Sequence, residues 1–343
     1  MSKPKYLKTS FLKKTIKYCL IRLFLLDFYL FKSDKKDKNR LLIITMDALG
    51  DNIVKSKIIE ILSEIYGKNN TYILCKNKWK ILYMIQNYQN IFVDETKWNI
   101  FYKIKLYRKL NKIGFNKIAI LNHSEIPDES NFIIDGKKYD MSEKVNYILE
   151  KHIILLEKIY DKKFTLENLK QDIRKYFPDT KYKNIISIAV AASGDKRTVP
   201  YSNLYNYIKK LLELKKDKTI YLLGTGRKQD EIARKLEVIS LSGRVVNLVD
   251  KIDLKEVIQV IKDSDLFIGG DSGLLNIAFS VRTKSICLHW SKDKYIWEHQ
   301  VDYIKTLKGA GGEKYIDKKY GTEILNSITF EQIKSAIEEL NIN

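Results

Sequence analysis

The sequence predicts an α/β protein built from two doubly wound domains, each a parallel sheet with helices on both faces. Three observations carry that expectation. Short apolar runs alternate with helical patterns from Leu41 to Leu121, and the same alternation restarts at Asn184 and runs to Leu288. Between the two series lies Val145 to Phe177, mostly helical in pattern, rich in Lys and Glu, and closed by Pro178. The 343 residues suit two domains at ~150 residues each, both long enough to bury a core. The expected parts are a basic extension over 1–40, a first domain over 41–180, a second over 181–328 and a terminal helix over 329–343.

In the extension, Lys3, Lys5, Lys8, Lys13, Lys14 and Lys17 stand beside the apolar run Leu20 to Phe31. Arg22 and Asp27 interrupt that run, so it falls short of the ~18 uncharged residues that cross a bilayer. It has no small-residue cleavage site of the secretory kind. Two arrangements fit it: a helix lying in a membrane interface, or a helix packed on the protein. Ser33 to Arg40 reads as a charged connector.

The first domain is expected to place strands at Leu41–Thr45, Tyr72–Cys75, Ile91–Val93 and Lys117–Leu121. The helix after Gly50 has Ile53, Ile58, Ile61, Leu62 and Ile65 at helical spacing. Asn131 to Asp140, with Phe132-Ile133-Ile134, reads as an inserted strand or hairpin. In the second domain the expected strands are Asn184–Val190, Thr219–Leu223, Val245–Leu248, Leu266–Ile268 and Ser285–Leu288. Asp253 with Glu256, and Thr329 with Gln332, have the spacing of capping boxes. Phe330, Ile333, Ala336, Ile337 and Leu340 form the buried stripe of the last helix.

Charge narrows the partners. The net charge of +20 favours anionic ones. No dense Arg/Lys motif or recognised nucleic-acid module accompanies it, so a membrane surface or an anionic substrate is expected and nucleic acid is not. Cys19, Cys75 and Cys287 are scattered and odd in number, with neither metal-ligand spacing nor a disulfide framework. A reducing compartment fits best, no zinc site can be assembled from three scattered cysteines and four scattered histidines, and no cofactor is expected.

The most informative stretch is Asp265 to Ala278: a buried strand, Gly269-Gly270 as a tight turn, Asp271-Ser272-Gly273, then a helix. A helix start offers unpaired N–H groups and a positive dipole end, where phosphate commonly binds. An ordinary strand-to-helix turn capped by Ser272 or Asp271 fits the same residues. After the first strand comes Thr45-Met46-Asp47-Ala48-Leu49-Gly50-Asp51-Asn52. Sites of parallel sheets lie beyond such carboxyl ends, although Asp51 also suits a helix start for its charge alone. His123, after the strand ending at Leu121, stands on the same side as an acceptor contact or a surface histidine. Lys196 and Arg197, in Ala191 to Pro200, are cations in a loop where a diphosphate can be met, or a solvated pair. Gly224-Thr225-Gly226 lacks a third glycine at Gln229, so the dinucleotide fingerprint is incomplete, but the loop can still turn beside a nucleotide.

The order and spacing of these four segments resemble glycosyltransferase family 9, the ADP-heptose:lipopolysaccharide heptosyltransferases and their relatives. The resemblance runs from about Leu41 to the terminal helix. It implies the GT-B architecture, two Rossmann-like domains facing a cleft, with a terminal helix that can cross back to the first. It also implies an inverting, metal-independent transfer of sugar from a nucleotide-diphosphate donor, with ADP-heptose the usual donor. A lipopolysaccharide core or related lipid-linked or anionic saccharide is the usual acceptor, at the inner face of the cytoplasmic membrane. Asp51 matches the family's base, with Asp47 the competing carboxylate, and Lys196 matches the loop lysine. An acid near Gly226, Glu231 or Asp230, corresponds to a ribose ligand. Relatives carry His where this chain has Asn276, and Trp-Pro where it has Arg197-Thr198-Val199-Pro200. Trp290, where relatives have Gly, reads as packing.

The expected donor side is therefore Ser193, Lys196, Arg197, Gly224, Thr225, Glu231, Gly270, Asp271, Ser272, Gly273 and Asn276. The acceptor side is Asp47, Asn52 and His123, with Asp51 and Lys196 catalytic. A non-catalytic nucleotide- or glycan-binding relative is the alternative, because Asn276 and the altered Lys196 loop depart from the pattern.

Overall fold

The computed structural model describes residues 39–94, 100–121, 131–134, 137–140, 147–192, 194–239, 243–292, 298–317 and 320–342. The basic segment 1–38, His123 and Ser193 lie outside them. The chain divides into two units: residues up to 144 with Lys151–Phe164, and Val145–Glu150 with Thr165–Asn343.

In the first unit the strands are β1 (Leu41–Thr45), β2 (Thr71–Lys76), β3 (Asn90–Asp94), β4 (Lys117–Ile120), β5 (Asn131–Ile134) and β6 (Lys137–Asp140). They form one sheet in the order β3-β2-β1-β4-β5-β6. The first four are parallel, while β5 and β6 add an antiparallel hairpin at the β4 edge. All five residues of β1 are buried, as expected for a strand covered on both faces. Helices α1 (Leu49–Glu64), α2 (Lys80–Ile85) and α3 (Ile100–Ile113) follow β1, β2 and β3, and α4 (Ile148–Tyr160) comes after the hairpin. Leu42, Ile44, Leu74, Leu110, Ile118 and Ile120 pack as one cluster of this core.

The second unit holds α5 (Leu166–Leu169), β7 (Ile185–Ala189), α6 (Tyr201–Leu214), β8 (Thr219–Leu223), α7 (Arg227–Glu237), β9 (Val245–Asn247) and α8 (Leu254–Asp263). Then come β10 (Leu266–Gly270), α9 (Gly273–Ser280), β11 (Ser285–His289) and β12 (Ile304–Lys308). A small antiparallel hairpin, β13 (Tyr315–Asp317) and β14 (Tyr320–Thr322), precedes α10 (Glu323–Ser327) and α11 (Phe330–Glu339). The main sheet runs β12-β11-β10-β7-β8-β9, all parallel.

Both sheets have the same winding. Counted from the first strand of each unit, the order is third, second, first, fourth, fifth, sixth, so the winding reverses between β1 and β4 and between β7 and β10. Connections leaving the carboxyl ends on either side of such a reversal diverge and open a crevice. The loops after β1, β7 and β10, which carry the sequence motifs, all start there.

Several expectations change. The helical stretch expected from Val145 to Phe177 is α4, the single turn α5 and a 3-10 turn at Arg174–Tyr176. The domain division falls within α4 and after Phe164 instead of near Pro178, because Leu169, Ile173 and Phe177 are buried and the Ile173 N–H reaches the Ser280 carbonyl at 3.0 Å. The last helix, α11, packs in the second unit's own core: Phe330, Ile333, Ala336, Ile337 and Leu340 cluster with Leu204, Leu211 and Leu288. Thr329 and Gln332 form the full capping box that starts it. At α8 only half a box forms, since Asp253 accepts from the Glu256 N–H at 2.8 Å while the Glu256 carboxylate turns to Lys181 and Tyr182. The edge strand β12 was not expected, because Lys305, Thr306 and Lys308 dilute its apolar pattern.

Candidate active site

At the end of β1 the chain turns through Met46–Ala48 into α1. Asn52 is fully buried and holds this turn from inside the helix. Its amide donates to the carbonyls of Asp47 at 3.1 Å and Ala48 at 2.7 Å, and its oxygen accepts from Thr45 and, at 2.7 Å, from Tyr83. Trp79 donates to the same Asp47 carbonyl at 3.0 Å. The Asp47 carboxylate, also buried, pairs with Lys55, whose ammonium donates in addition to the Leu121 carbonyl just past β4. Both Asp47 and Lys55 side chains have 0% exposure. Asp47 and Asn52, expected as acceptor contacts, are therefore structural, and Asp47 is not a free base. None of the buried polar atoms of Asp47, Asn52 and Lys55 is left without a hydrogen-bond partner, as buried polar groups require.

Asp51 is different. It is half-buried in the first turn of α1, with its Oδ2 accepting from the Ala48 N–H at 3.2 Å. Burial raises its pKa above the ordinary aspartate value; Lys55 opposes that and Asp47 adds to it. Of the two carboxylates in the loop, only Asp51 is open to a substrate.

In the second unit, β10 runs through Gly269 and Gly270 instead of turning at them. Neither glycine has positive φ. Their lack of a side chain serves close approach: a Cβ on Gly270 would stand 2.6 Å from the Arg197 carbonyl oxygen, and one on Gly269 2.9 Å from Ala189 Cβ. The 3-10 turn Asp195–Arg197, in the loop after β7, is thereby seated directly on the loop after β10. Arg197 reinforces the contact with an ion pair to the largely buried Asp271 at 3.3 Å. Lys196 in the same turn has no carboxylate partner among the described residues. Its ammonium lies 5.8 Å from the Trp290 ring centre and 5.7 Å from that of Tyr315 on β13. Gly321 holds that hairpin against the turn, since its missing side chain would meet Pro200 and the Thr198 carbonyl near 3.0–3.1 Å. Trp290 both packs on the core and flanks the lysine.

Ser272 is the N-cap of α9, yet its hydroxyl caps nothing. Its Oγ is shielded from solvent and lacks a hydrogen-bond partner among the described residues. The first N–H groups of α9, beginning at Gly273, have no intrahelical partner either. Asn276 is bonded within the protein at both ends of its amide: the nitrogen donates to the Ser272 carbonyl at 3.0 Å and the oxygen meets His299 Nε2 at 2.9 Å.

The glycine loop after β8 is closed by an acid that the sequence reading missed. Asp250 accepts from Thr225 Oγ1 and from the Gly226 N–H, both at 2.7 Å. Gly226 needs its positive φ of 97° to start α7 there, and Gly224 accommodates the Gln229 side chain. Glu231 pairs with Arg227 at 3.0 Å on the exposed face of α7, and Asp230 pairs with Asn247 and Arg234. Glu231 is thus not turned into the loop as a ribose ligand would be. Lys55, Asp250, His299 and Tyr315 went unnoticed in the sequence; only Lys55 had a signal, four residues after Asp51 on the same helix face. Among the described residues no group of three or more His, Cys, Asp or Glu could hold a metal ion, and no helix is long and apolar enough to cross a membrane.

Comparison with known proteins places this geometry. The family model of glycosyltransferase family 9 (heptosyltransferase) matches residues 138–310. Lipopolysaccharide heptosyltransferase 1 of Campylobacter coli is 28% identical over 178 residues, 51% of this chain and 52% of that protein, so the chain spans about half the length of the curated relative it matches. E. coli heptosyltransferase WaaC, solved with ADP-2-deoxy-2-fluoro heptose, superposes with a TM-score of 0.66 at 14% identity, covering 88% of this chain and 99% of that one. A glycosyl transferase family 9 structure from Veillonella parvula gives 0.68 at 15% identity, covering 90% and 98%. At such identities the structures speak for the fold, the α/β GT-B fold of heptosyltransferases. The family model matches half the chain and includes the loops after β7, β8 and β10, and on that ground the chain belongs to glycosyltransferase family 9, the heptosyltransferases.

Proposed function

We propose that the chain is an inverting glycosyltransferase that moves heptose from ADP-heptose to a lipopolysaccharide-core or related surface-glycan acceptor. The donor half rests on one observation: the Lys196 turn is seated on the end of β10 at Gly270, so that a cation with no carboxylate partner and a helix start with an unsatisfied hydroxyl, both among the described residues, lie on adjoining loops. A diphosphate supplies what both lack, acceptor oxygens and negative charge. The complexes of E. coli WaaC with ADP and with ADP-2-deoxy-2-fluoro heptose support adenosine diphosphate as the nucleotide.

In the reaction, Asp51 takes the proton of an acceptor hydroxyl as its oxygen attacks the anomeric carbon from the face opposite the diphosphate. The bond from that carbon to the diphosphate oxygen breaks, and the electron pair leaves with the phosphate. Lys196, Ser272 and the start of α9 stabilise the charge that develops there. A carboxylate whose proton affinity is raised by burial is a better general base than an exposed one. The ammonium of Lys196 makes the stabilisation independent of a divalent ion. The lysine-rich segment beside Leu20–Phe31 would bring the enzyme to anionic lipid.

The test is incubation of the full chain with ADP-heptose and heptose-free lipopolysaccharide core, with mass analysis of products. The expected product is heavier by one heptose residue, forms in the presence of EDTA, and has the anomeric configuration opposite to the donor's. No sugar transfer from any nucleotide sugar, with ADP binding retained, would instead favour a binding relative without catalysis. Vesicle sedimentation of the chain with and without residues 1–32 tests the lipid contact.

A further inference from the structure

We infer that Tyr147 and His299 are positioning residues for the donor site: a buried hydrogen-bond chain, Tyr147–His299–Asn276, locks the N-cap residue Ser272 in the orientation that keeps its hydroxyl unbonded and the first α9 N–H groups unspent, so that both can serve the diphosphate. This rests on the donor reading above and adds two residues that touch neither donor nor acceptor.

The chain lies entirely in the second unit. The Tyr147 hydroxyl is 2.9 Å from His299 Nδ1, His299 Nε2 is 2.9 Å from Asn276 Oδ1, and Asn276 Nδ2 is 3.0 Å from the Ser272 carbonyl. The direction of each bond follows from chemistry. The Ser272 carbonyl only accepts, so the amide nitrogen of Asn276 faces it and the amide oxygen faces His299. Asn276 Oδ1 only accepts, so His299 Nε2 carries the proton. Nδ1 of a neutral imidazole then accepts, and Tyr147 donates to it. Burial keeps the imidazole neutral, with its pKa lowered to about 3. Among the described residues the Tyr147 phenol meets the imidazole directly and Tyr303 stacks on the same Phe279 ring, and burial holds both phenols un-ionised.

Each element of the chain fixes the next. His299 is fully enclosed and stacks on Phe279 of α9, with ring centres 4.0 Å apart and planes within 3°. The Ser272 carbonyl receives two donors from one residue, the Asn276 N–H at 3.3 Å and the Asn276 side chain. Ordinary helix geometry needs only the first. The second pins the N-cap peptide, and Ser272 is held extended at φ −153° and ψ 172° with an unsatisfied Oγ. A flip of the Asn276 amide would set oxygen against the Ser272 carbonyl oxygen and the amide N–H groups against the Nε2 proton of His299, and two such clashes oppose it.

The experiment is calorimetric titration of the full chain with ADP, together with backbone amide exchange at Gly273–Asn276 without ligand. His299→Phe keeps the stacking ring but removes the donor, and His299→Gln keeps an N–H for Asn276. We expect His299→Phe to weaken ADP roughly tenfold and to speed exchange of these amides, His299→Gln to restore most of both, and Tyr147→Phe to weaken ADP a few-fold. The ratio of wild-type to His299→Gln affinity should stay constant from pH 8 to 5.5, since the imidazole does not titrate there. A ratio that rises as pH falls would make His299 a charged ligand contact and overturn the proposal. Unchanged affinity and exchange in His299→Phe would overturn it too, as would a lower melting temperature alone. If wild type fails to bind ADP while His299→Phe still loosens the α9 start, the donor reading fails and the positioning chain stands.

Discussion

The loops after β1 and after β10 each leave the carboxyl end of a strand that flanks the reversal of winding in its own sheet, yet they are finished in opposite ways. In the first, Asn52, Asp47 and Lys55 satisfy one another and the backbone completely and leave a single carboxylate, Asp51, partly open. In the second, the backbone is held by glycine contacts and by the Arg197–Asp271 pair, while Ser272 and Lys196 are left with unmet bonding capacity. A closed network fixes geometry and an open one receives a ligand. Substitutions in the first loop should therefore separate cleanly into those that hit stability and the one that hits chemistry.

The largest expected effect is at Asp51. Asp51→Asn should lower turnover roughly 10²–10⁴-fold while leaving ADP affinity unchanged, as measured by product formation and calorimetry. Its melting temperature at pH 7 should be equal or higher. The sign follows from the raised pKa: the folded state holds the proton at pH values where the unfolded state has lost it. Asp51 therefore costs stability above the ordinary aspartate pKa of 3.8, and that cost disappears below it. The same shift sets the acidic limb of kcat/KM above the ordinary aspartate pKa, with the rate falling as pH drops through it. Near-normal turnover in Asp51→Asn would move the base elsewhere.

Next is the buried pair. Lys55→Met strands the Asp47 carboxylate and should lower unfolding stability by about 3–5 kcal/mol, read from chemical denaturation. Asp47→Asn combined with Lys55→Met should recover much of the loss. If the single variant is as stable as wild type, the closed network is not what holds the loop. On the open side, Lys196→Ala should weaken ADP by about 1.5–3 kcal/mol with little effect on stability.

Smaller effects follow from the buried histidines. His299 and His152 both have pKa values lowered to about 3 by burial, against 6.5 when unfolded. The unfolded chain takes up these protons below pH 6.5 and the folded chain does not, so the stability they contribute is full above 6.5 and is lost progressively toward pH 3. His299→Gln should flatten that part of the melting-temperature profile. The smallest effect is at Glu231: Glu231→Gln should leave ADP affinity unchanged, because its carboxylate is committed to Arg227 on the exposed face of α7. A marked loss there would restore it as a nucleotide ligand.

What the sequence alone determined is periodic and local. The positions of β1 and β8 were read to the residue, and the doubly wound class followed from apolar runs that both faces of a parallel sheet require. The capping box at Thr329 and the motif loops themselves were equally legible, since each depends on residues three or four apart. Tertiary structure decided which polar side chains of those loops are spent internally. Asp47 and Asp51 look alike in the sequence, and only the arrival of Lys55 and Leu121 at the same point buries one and leaves the other. Gly270 looked like a turn residue until the Arg197 carbonyl was found against it. Asn276 is a link in a chain only through His299 and Tyr147, which stand 23 and 129 positions away along the sequence. Such partners are brought together by winding order, and hydrogen bonding is decided by the last few ångströms of approach, which no local pattern of residues encodes.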